Sequence, residues 1–476
     1  MTANLLLVLS CGIQKRNYDT PSIYSAPSDF LETELAEPGY GSGDISISWW
    51  SEFQDPVLDS LIEKARRHNL DINTAVANFE ASRALLEGTK LGRYPTVPLN
   101  GEYSRTRLGE NVFAPGSNPT YSTYTGSFDA FWELDLFGRV SHRIKGAYAN
   151  SQEALADMRG VYIRIFAEVS NSYMELRGNQ YLLDIAERNL KGQEETYQLT
   201  LKLSQAGTSN SLDVSRALAQ LEATRASIPP IEARIEALKN SLSVLVGEIP
   251  GRLDSGVVGK KPLPSLPATV ALGKLDDLLR RRPDVQRAEA QLQQRVARYN
   301  ISVANLYPKI QFGGSIGFSA TDFSNFGSAE SFTWSIFPSF SWAAFDLGRV
   351  RKQIKSEDAK TLAALNRYEK TVLESLEEIK TSLSDYGQQL KRREILGASS
   401  RAADRAADMA RQRYRAGLDN FIDYLSADRA LLQAENALAL SEISTASSLI
   451  AIYKALGGGW EIISPGELEE KLQAMD

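Results

Sequence analysis

The chain repeats itself. Gly138-Arg139-Val140 recurs 210 residues on as Gly348-Arg349-Val350, Ala206-Gly207 as Ala416-Gly417, Asp213 as Asp423 and Gly247 as Gly457. Further upstream the offset is 213, with Tyr94-Pro95 answering to Tyr307-Pro308 and Asp71 to Asp284. An offset held without insertion from Gly138 to Gly247 means that each half carries the same series of elements. The first repeat runs over 49–250 and the second over 273–460, with a linker at 251–272 and a C-terminal tail at 461–476.

Within each repeat the hydrophobic period changes. Tyr124, Gly126, Phe128, Ala130, Trp132 and Leu134 alternate with Thr125, Ser127, Asp129 and Glu133, with Phe131 the exception. Phe332, Trp334, Ile336, Phe340 and Trp342 alternate with Thr333, Ser335, Ser339 and Ser341 in the second half. Leu99, Gly101 and Tyr103 match Phe312, Gly314 and Ile316 in the strand before. Turns such as Pro115-Gly116-Ser117-Asn118 and Asp322-Phe323-Ser324-Asn325 part the strands, so hairpins are expected at about 99–135 and 309–345. A transmembrane barrel requires such strands, with one apolar face and one polar face, and a soluble sandwich requires the same alternation.

The segments that follow are helical and long. From Val140 to Gln205 there is no proline, and Tyr162, Val169, Leu176, Leu183, Leu190 and Tyr197 recur at intervals of seven, a coiled-coil seam. Val372, Leu376, Ile379, Leu383, Tyr386 and Leu390 form its counterpart. At 1.5 Å per residue such a helix is roughly 100 Å long, too long for the interior of one compact domain. Gly207-Thr208-Ser209-Asn210-Ser211 and Gly417-Leu418-Asp419-Asn420 break the helices, giving two helical hairpins with tips at about 205–213 and 415–423. Ile228-Pro229-Pro230 is expected to interrupt the returning helix of the first hairpin, which must kink or be jointed there.

No run approaches the ~20 apolar residues of a membrane-crossing helix; the longest candidate is Leu5 to Leu9. Entry into a membrane would therefore require a closed barrel of strands. Four strands cannot close one, since the smallest need about eight, so copies of the chain must share it. The pattern demands at least two chains, and three would supply twelve strands.

Fifty-three Lys and Arg against 59 Asp and Glu give a net charge of -6, without the basic footprint of a nucleic-acid binder. His68 and His142 stand apart on helices, with no metal-ligand spacing, no P-loop and no dinucleotide glycine pattern nearby, so neither a cofactor nor an enzyme activity is expected. The single cysteine, Cys11, follows Leu5-Leu6-Leu7-Val8-Leu9-Ser10, the end of a secretion signal over 1–11. It resembles the lipobox of bacterial lipoproteins, which implies an acylated Cys11 that anchors the chain in lipid, with Gly12 after it fitting delivery to the outer membrane; the other reading is a buried cysteine near the terminus. The Pro-, Ser- and Tyr-rich tract over 12–48 is expected to be an extended tether.

Taken in order, Trp49-Trp50 with Phe53, Asp55, Leu58, Leu61, Ile62, Ala65, Asn69 and Asp71, then Arg281-Arg282-Pro283-Asp284 with Ala288, Glu289 and Leu292, resemble the TolC-like outer-membrane efflux family. Ile228-Pro229, the stretch from Leu245-Val246-Gly247 to Pro250-Gly251, and Lys454-Ala455-Leu456-Gly457-Gly458-Gly459-Trp460 extend the likeness to nearly the whole chain, closest to the lipoprotein branch that serves resistance-nodulation-division (RND) pumps. The resemblance implies an α+β, mostly α fold: a homotrimer with a twelve-stranded transmembrane β-barrel continuous with a long periplasmic α-helical barrel, each chain giving four strands and two long helical hairpins. It further implies an exit duct in the outer membrane that works with a periplasmic adaptor and an inner-membrane RND transporter to export drugs or other small toxic compounds.

Arg413-Tyr414-Arg415-Ala416-Gly417-Leu418-Asp419-Asn420-Phe421-Ile422-Asp423 resembles the family's tip motif. By that match Tyr414, Asp419 and Asp423, with Asp213 in the first repeat, belong to the periplasmic gate, and Gly207 and Gly417 mark the tips that meet the adaptor. Asp419 stands where TolC itself has an arginine, and Ser426 where it has a second aspartate. Asp213 and Asp423 also read as helix N-caps after a glycine turn, a role compatible with gating. Two other functions fit parts of the pattern: a type I protein-secretion exit duct, and a soluble coiled-coil scaffold that leaves the aromatic strands unexplained.

Overall fold

The computed structural model describes residues 30–31, 36, 39–109, 119–253 and 255–463. Cys11 and its signal-like run, the turn at 115–118 and the tail from 464 lie outside the described residues. The chain forms two compact units, and each takes material from both repeats: one includes Ala84–Asn150 and Ala288–Tyr368, the other Ala26–Arg83, Ser151–Arg287 and Glu369–Asp476.

The first unit holds a four-stranded antiparallel sheet of β2 (Leu99–Arg107), β3 (Thr120–Leu134), β5 (Lys309–Ala320) and β6 (Phe332–Ser341), in the order β2-β3-β5-β6. Leu99 pairs with Phe128, Phe128 with Ile316 and Ile316 with Trp334. Because paired residues share a face, these four lie on one side of the sheet. All four are exposed, at 69%, 52%, 51% and 68%. The opposite face carries rows such as Asp129, Ser315 and Ser335. The alternation read from the sequence is thus the division of this sheet into an apolar and a polar face.

The second unit is helical. Its core gathers around Trp49, Trp50 and Phe53, all nearly inaccessible. Trp49 stacks on Tyr453 at 5.0 Å and Trp50 meets Phe166 edge-on. Helix α1 (Pro56–His68) starts where proline is tolerated at the first position and the Asp55 carboxylate accepts the Val57 N–H at 2.8 Å. Asp55 also accepts from the Tyr173 hydroxyl at 2.6 Å. Helix α2 (Leu70–Lys90) follows after one residue, Asn69.

The first hairpin is α3 (Arg139–Gln205) with α4 (Ser211–Leu245). After α5 (Leu275–Arg281) and α6 (Pro283–Ala304), the second is α7 (Leu347–Arg415) with α8 (Phe421–Ala455). On α3 the heptad residues Tyr162, Val169, Leu176 and Leu183 are buried, each contributing about 1.5–3 kcal/mol by leaving water.

Three expectations from sequence need correction. Pro229 and Pro230 do not interrupt the returning helix: α4 is continuous through both. Lacking an N–H, the two prolines leave the carbonyls of Arg225 and Ala226 without their intrahelical donors, yet the helix continues beyond them. Within the stretch expected as a tether, Tyr40–Gly41 is fastened: this β1 pairs in parallel with β4 (Val270–Ala271), and the Tyr40 hydroxyl donates to the Leu383 carbonyl at 2.6 Å. The linker is likewise fastened: buried Arg177 donates to the carbonyls of Gly256 and Gly259 at 2.9 and 2.6 Å.

The third correction concerns the helix starts at the tips. The caps are Asn210 and Asn420, whose side-chain oxygens accept the N–H groups of Asp213 and Asp423 at 2.9 and 3.0 Å. The two aspartates sit three residues inside their helices, where a carboxylate favours the positive end of the helix dipole. Asparagine accepts that bond as well as aspartate does, so a reading by residue type placed the cap three residues late.

Candidate functional site

Each tip closes by the same arithmetic. The Gly207 N–H donates to the Ser204 carbonyl and the Thr208 N–H to that of Leu203; 210 residues on, Gly417 donates to Tyr414 and Leu418 to Arg413. Gly207 and Gly417 adopt φ values of 80° and 71°, the left-handed conformation that ends a helix in this motif. Both are exposed.

The second tip carries an added clasp. Arg413 grips Asp419 with two parallel bonds, Nε to Oδ2 at 2.7 Å and Nη2 to Oδ1 at 2.8 Å, across the Gly417 turn. Those bonds hold the Asp419 carboxyl below the usual aspartate range. At the first tip Asp213 is half-buried and lies 3.5 Å from Arg216. Asp423 is exposed.

Tyr414 is unlike the aspartates, for it is buried between the two hairpins of the chain. It stacks on Tyr424 at 5.6 Å with planes 9° apart and meets Phe421 edge-on. Its hydroxyl lies 3.1 Å from that of Thr200 on α3.

Tyr414 ends a ladder of polar contacts between α3 and the second hairpin. Thr196 and Tyr424 share a hydroxyl contact at 2.9 Å, Gln193 donates to Asp428 at 3.1 Å, and Asn189 donates to Glu435 at 3.0 Å. Burial pushes the Asp428 carboxyl above the usual range, against the opposing pull of Gln193, Arg411, Tyr424 and Arg429. Asn189, Gln193, Thr196 and Thr200 are spaced by four, three and four, one face of a helix. That spacing was available in the sequence, but its partners lie more than 200 residues away. The four predicted gate residues therefore divide: Tyr414 joins the ladder, Asp419 is tied within its own turn, and Asp213 and Asp423 stand beside their caps.

Such an arrangement holds the two hairpins together through polar contacts. Nothing in it resembles a nucleophile beside a base, and among the described residues no cluster of His, Cys, Asp and Glu could hold a metal ion. No described helix is long and apolar enough to cross a membrane.

The family model for outer membrane efflux proteins matches residues 61–248 and 275–458, the two repeats in turn. The chain belongs to that family. The antibiotic efflux pump outer membrane protein ArpC of Pseudomonas putida is 30% identical over 455 residues, 92% of each chain. The toluene efflux pump outer membrane protein TtgC, also of Pseudomonas putida, is 30% identical over 446 residues, 91% of this chain and 88% of its own. The solved outer-membrane channel OprN is 36% identical, with a TM-score of 0.87 over 93% of this chain and 98% of its own. This is an outer-membrane efflux protein with the TolC-like, mostly helical fold expected from its sequence.

Proposed function

We propose that three copies of the chain close a twelve-stranded barrel in the outer membrane and continue it as a helical barrel in the periplasm. The trimer is the passive exit duct of a tripartite efflux pump. The observation that supports this is the open sheet: four strands, an apolar face exposed across all of them, and bare edges at β2 and β6. A soluble rod could not leave that face in water, and four strands are too few to seal in lipid alone.

The partners are then an inner-membrane RND transporter, which supplies the energy, and a periplasmic adaptor that meets the tips around Gly207 and Gly417. Drugs and apolar solvents are the exported compounds that the relatives' names favour over a secreted protein. The ladder at Tyr414, with Asp213, Asp419 and Asp423 at the tips, is the gate. Links worth about 1 kcal/mol each can be overcome by a partner that prefers the open state by a few kcal/mol. Cys11 is the site of lipid attachment that adds a second hold on the outer membrane.

Fractionation and planar-bilayer recording test this together. Heat-resistant trimers in the outer membrane are expected, with larger single-channel conductance when Asp213→Ala is combined with Asp423→Ala. A soluble monomer would sink the duct, and unchanged conductance would remove the two aspartates from the gate. Palmitate labelling that persists in Cys11→Ala would sink the anchor alone.

A further inference from the structure

The two hairpins of the sheet are copies in register as well as in sequence. Leu99 pairs with Phe128, and their counterparts 213 and 210 residues on, Phe312 and Pro338, also pair. Arg105 with Ser122 and Phe318 with Phe332 obey the same rule. It extends to side chains: the Trp132 indole donates to the Arg93 carbonyl and the Trp342 indole to the Leu306 carbonyl, both at 2.9 Å, at the same two offsets.

Within the chain the hairpins are joined by β3 against β5, with Tyr124 opposite Ala320, Phe128 opposite Ile316 and Trp132 opposite Phe312. In a closed ring of copies every second junction is of this kind, and the others join β6 to β2 of the next copy. Equivalent hairpins in an evenly tilted barrel make equivalent junctions, because strand tilt and register are linked. Carrying β3 forward by 210 and β5 back by 213 therefore gives the missing junction.

We propose that β6 pairs antiparallel with β2 of the next copy in one register, with Trp334 opposite Arg107 of the partner subunit, Pro338 opposite Tyr103 of the partner subunit and Trp342 opposite Leu99 of the partner subunit. This rests on the trimer reading and adds the pairing of each residue to it.

Three observations favour that register. Both edges are bare: β6 is exposed at all ten positions and β2 at most of its nine, whereas most positions of β3 and β5 are half-buried. The chemistry of opposed residues agrees. On the polar face Ser335 meets Thr106 of the partner subunit, Ser339 meets Glu102 of the partner subunit and Ser341 meets Asn100 of the partner subunit. On the apolar face Phe340 lies opposite Gly101 of the partner subunit, as Phe318 lies opposite Gly126 within the chain. Trp334 gains a guanidinium neighbour, a favourable contact for an indole face.

The third observation lies below the strands. Phe137 stacks on Tyr307 at 4.7 Å within the chain. Tyr94, the counterpart of Tyr307, is 65% exposed. The same transfer carries Phe137 to Leu347, which then covers Tyr94 of the partner subunit. A slip of one residue would turn every apolar side chain of β6 to the polar face. A slip of two would preserve the faces and lose the cover over Tyr94.

Cysteine pairs in the full-length chain read the register directly, because a disulfide needs Cβ atoms about 3.5–4.5 Å apart, whereas diagonal neighbours stand about 7–8 Å apart. Two matched pairs, Ser335→Cys with Thr106→Cys and Phe340→Cys with Gly101→Cys, sample the two faces independently. Controls displaced by two residues are Ser335→Cys with Ser104→Cys or Leu108→Cys, and Phe340→Cys with Leu99→Cys or Tyr103→Cys. On oxidation the matched pairs are expected to convert the chain to covalent oligomers, and the displaced pairs are not. Native mass measurement of each variant reports the trimer separately. Trimers that cross-link only through a displaced pair, or through none, would overturn the register and leave the duct standing. Chains that remain monomeric in the outer membrane would overturn the trimer itself.

Discussion

Arg282 donates through Nη1 to the carbonyl oxygen of Ala455 at 2.5 Å, and 213 and 210 residues earlier Asn69 donates to the carbonyl of Leu245 at 2.8 Å. In both repeats the residue just before a helix satisfies a free carbonyl at the end of the returning hairpin helix. Asn69 also caps α2 through the Ile72 N–H at 3.0 Å. Arg282 instead holds Asp284, through two bonds at 3.0 and 2.7 Å, and Glu378. The Arg-Pro-Asp sequence is therefore a joint between α6, α7 and α8.

Arg282→Ala should lower stability by about 3 kcal/mol, since the guanidinium is buried and its loss leaves Asp284 without its cation and Glu378 with Lys454 alone. Arg282→Lys should recover part of this, because an ammonium keeps the charge but not the fork. Burial raises the Asp284 carboxyl, but the bonds and charge of Arg282 outweigh it and hold it below 3.8. A depressed folded value gives stability that is present above the unfolded value and lost as pH falls through the folded one. Denaturant unfolding at acid and neutral pH should thus show the Arg282→Ala deficit shrinking below pH 3.8.

Asp428 carries the opposite sign. Burial raises its carboxyl above 3.8, so the folded state holds the proton more tightly than the unfolded state and stability falls as pH rises through that window. Asp428→Asn keeps an acceptor for Gln193 and removes the charge. The variant should be more stable than the parent at neutral pH, with the difference vanishing in acid. Melting curves at two pH values check it, and a parent that is the more stable at neutral pH would refute the sign.

Tyr414→Phe removes the hydroxyl beside Thr200 and keeps the stacking on Tyr424. A lost hydrogen bond of about 1 kcal/mol shifts a closed-to-open ratio about fivefold. Open probability in planar bilayers should rise accordingly. Thr200→Val should do the same, and the double variant should add little, since both remove one contact.

Gly247 and Gly207 are both left-handed, at φ 74° and 80°, but their surroundings differ. A Cβ on Gly207 meets nothing within 4 Å, whereas one on Gly247 presses into the His68 carbonyl. Gly207→Ala should cost only the backbone strain, about 1 kcal/mol. Gly247→Ala should cost that and more, about 3 kcal/mol, because main chain cannot move aside. Thermal unfolding of the two variants separates strain from collision.

The architecture was legible because duplication exposes it: the offsets of 210 and 213 matched both tips, both helical hairpins and the strands of the four-stranded sheet. Alternation along β3 and β6 also foretold which side of the sheet is apolar. The ladder from Asn189 to Thr200 was harder to see. Its polar spacing is local, but its partners on α7 and α8 carry no sequence signal until the hairpins are packed. The helix caps were misread because Asn and Asp serve that position equally well. The two prolines were overrated, since a helix of 35 residues tolerates two missing bonds. The compact units could not be foreseen from repeat boundaries, because each core is built from both halves.

Those prolines have a consequence for how the molecule yields. Their counterparts in the second half are Ala439 and Leu440, which supply the main-chain donors that Pro229 and Pro230 withhold. Of two inherited twins, one arm has every main-chain donor at its middle and the other lacks two there. A force applied alike to both would bend the proline arm first, so duplication has left the chain with a built-in order of compliance.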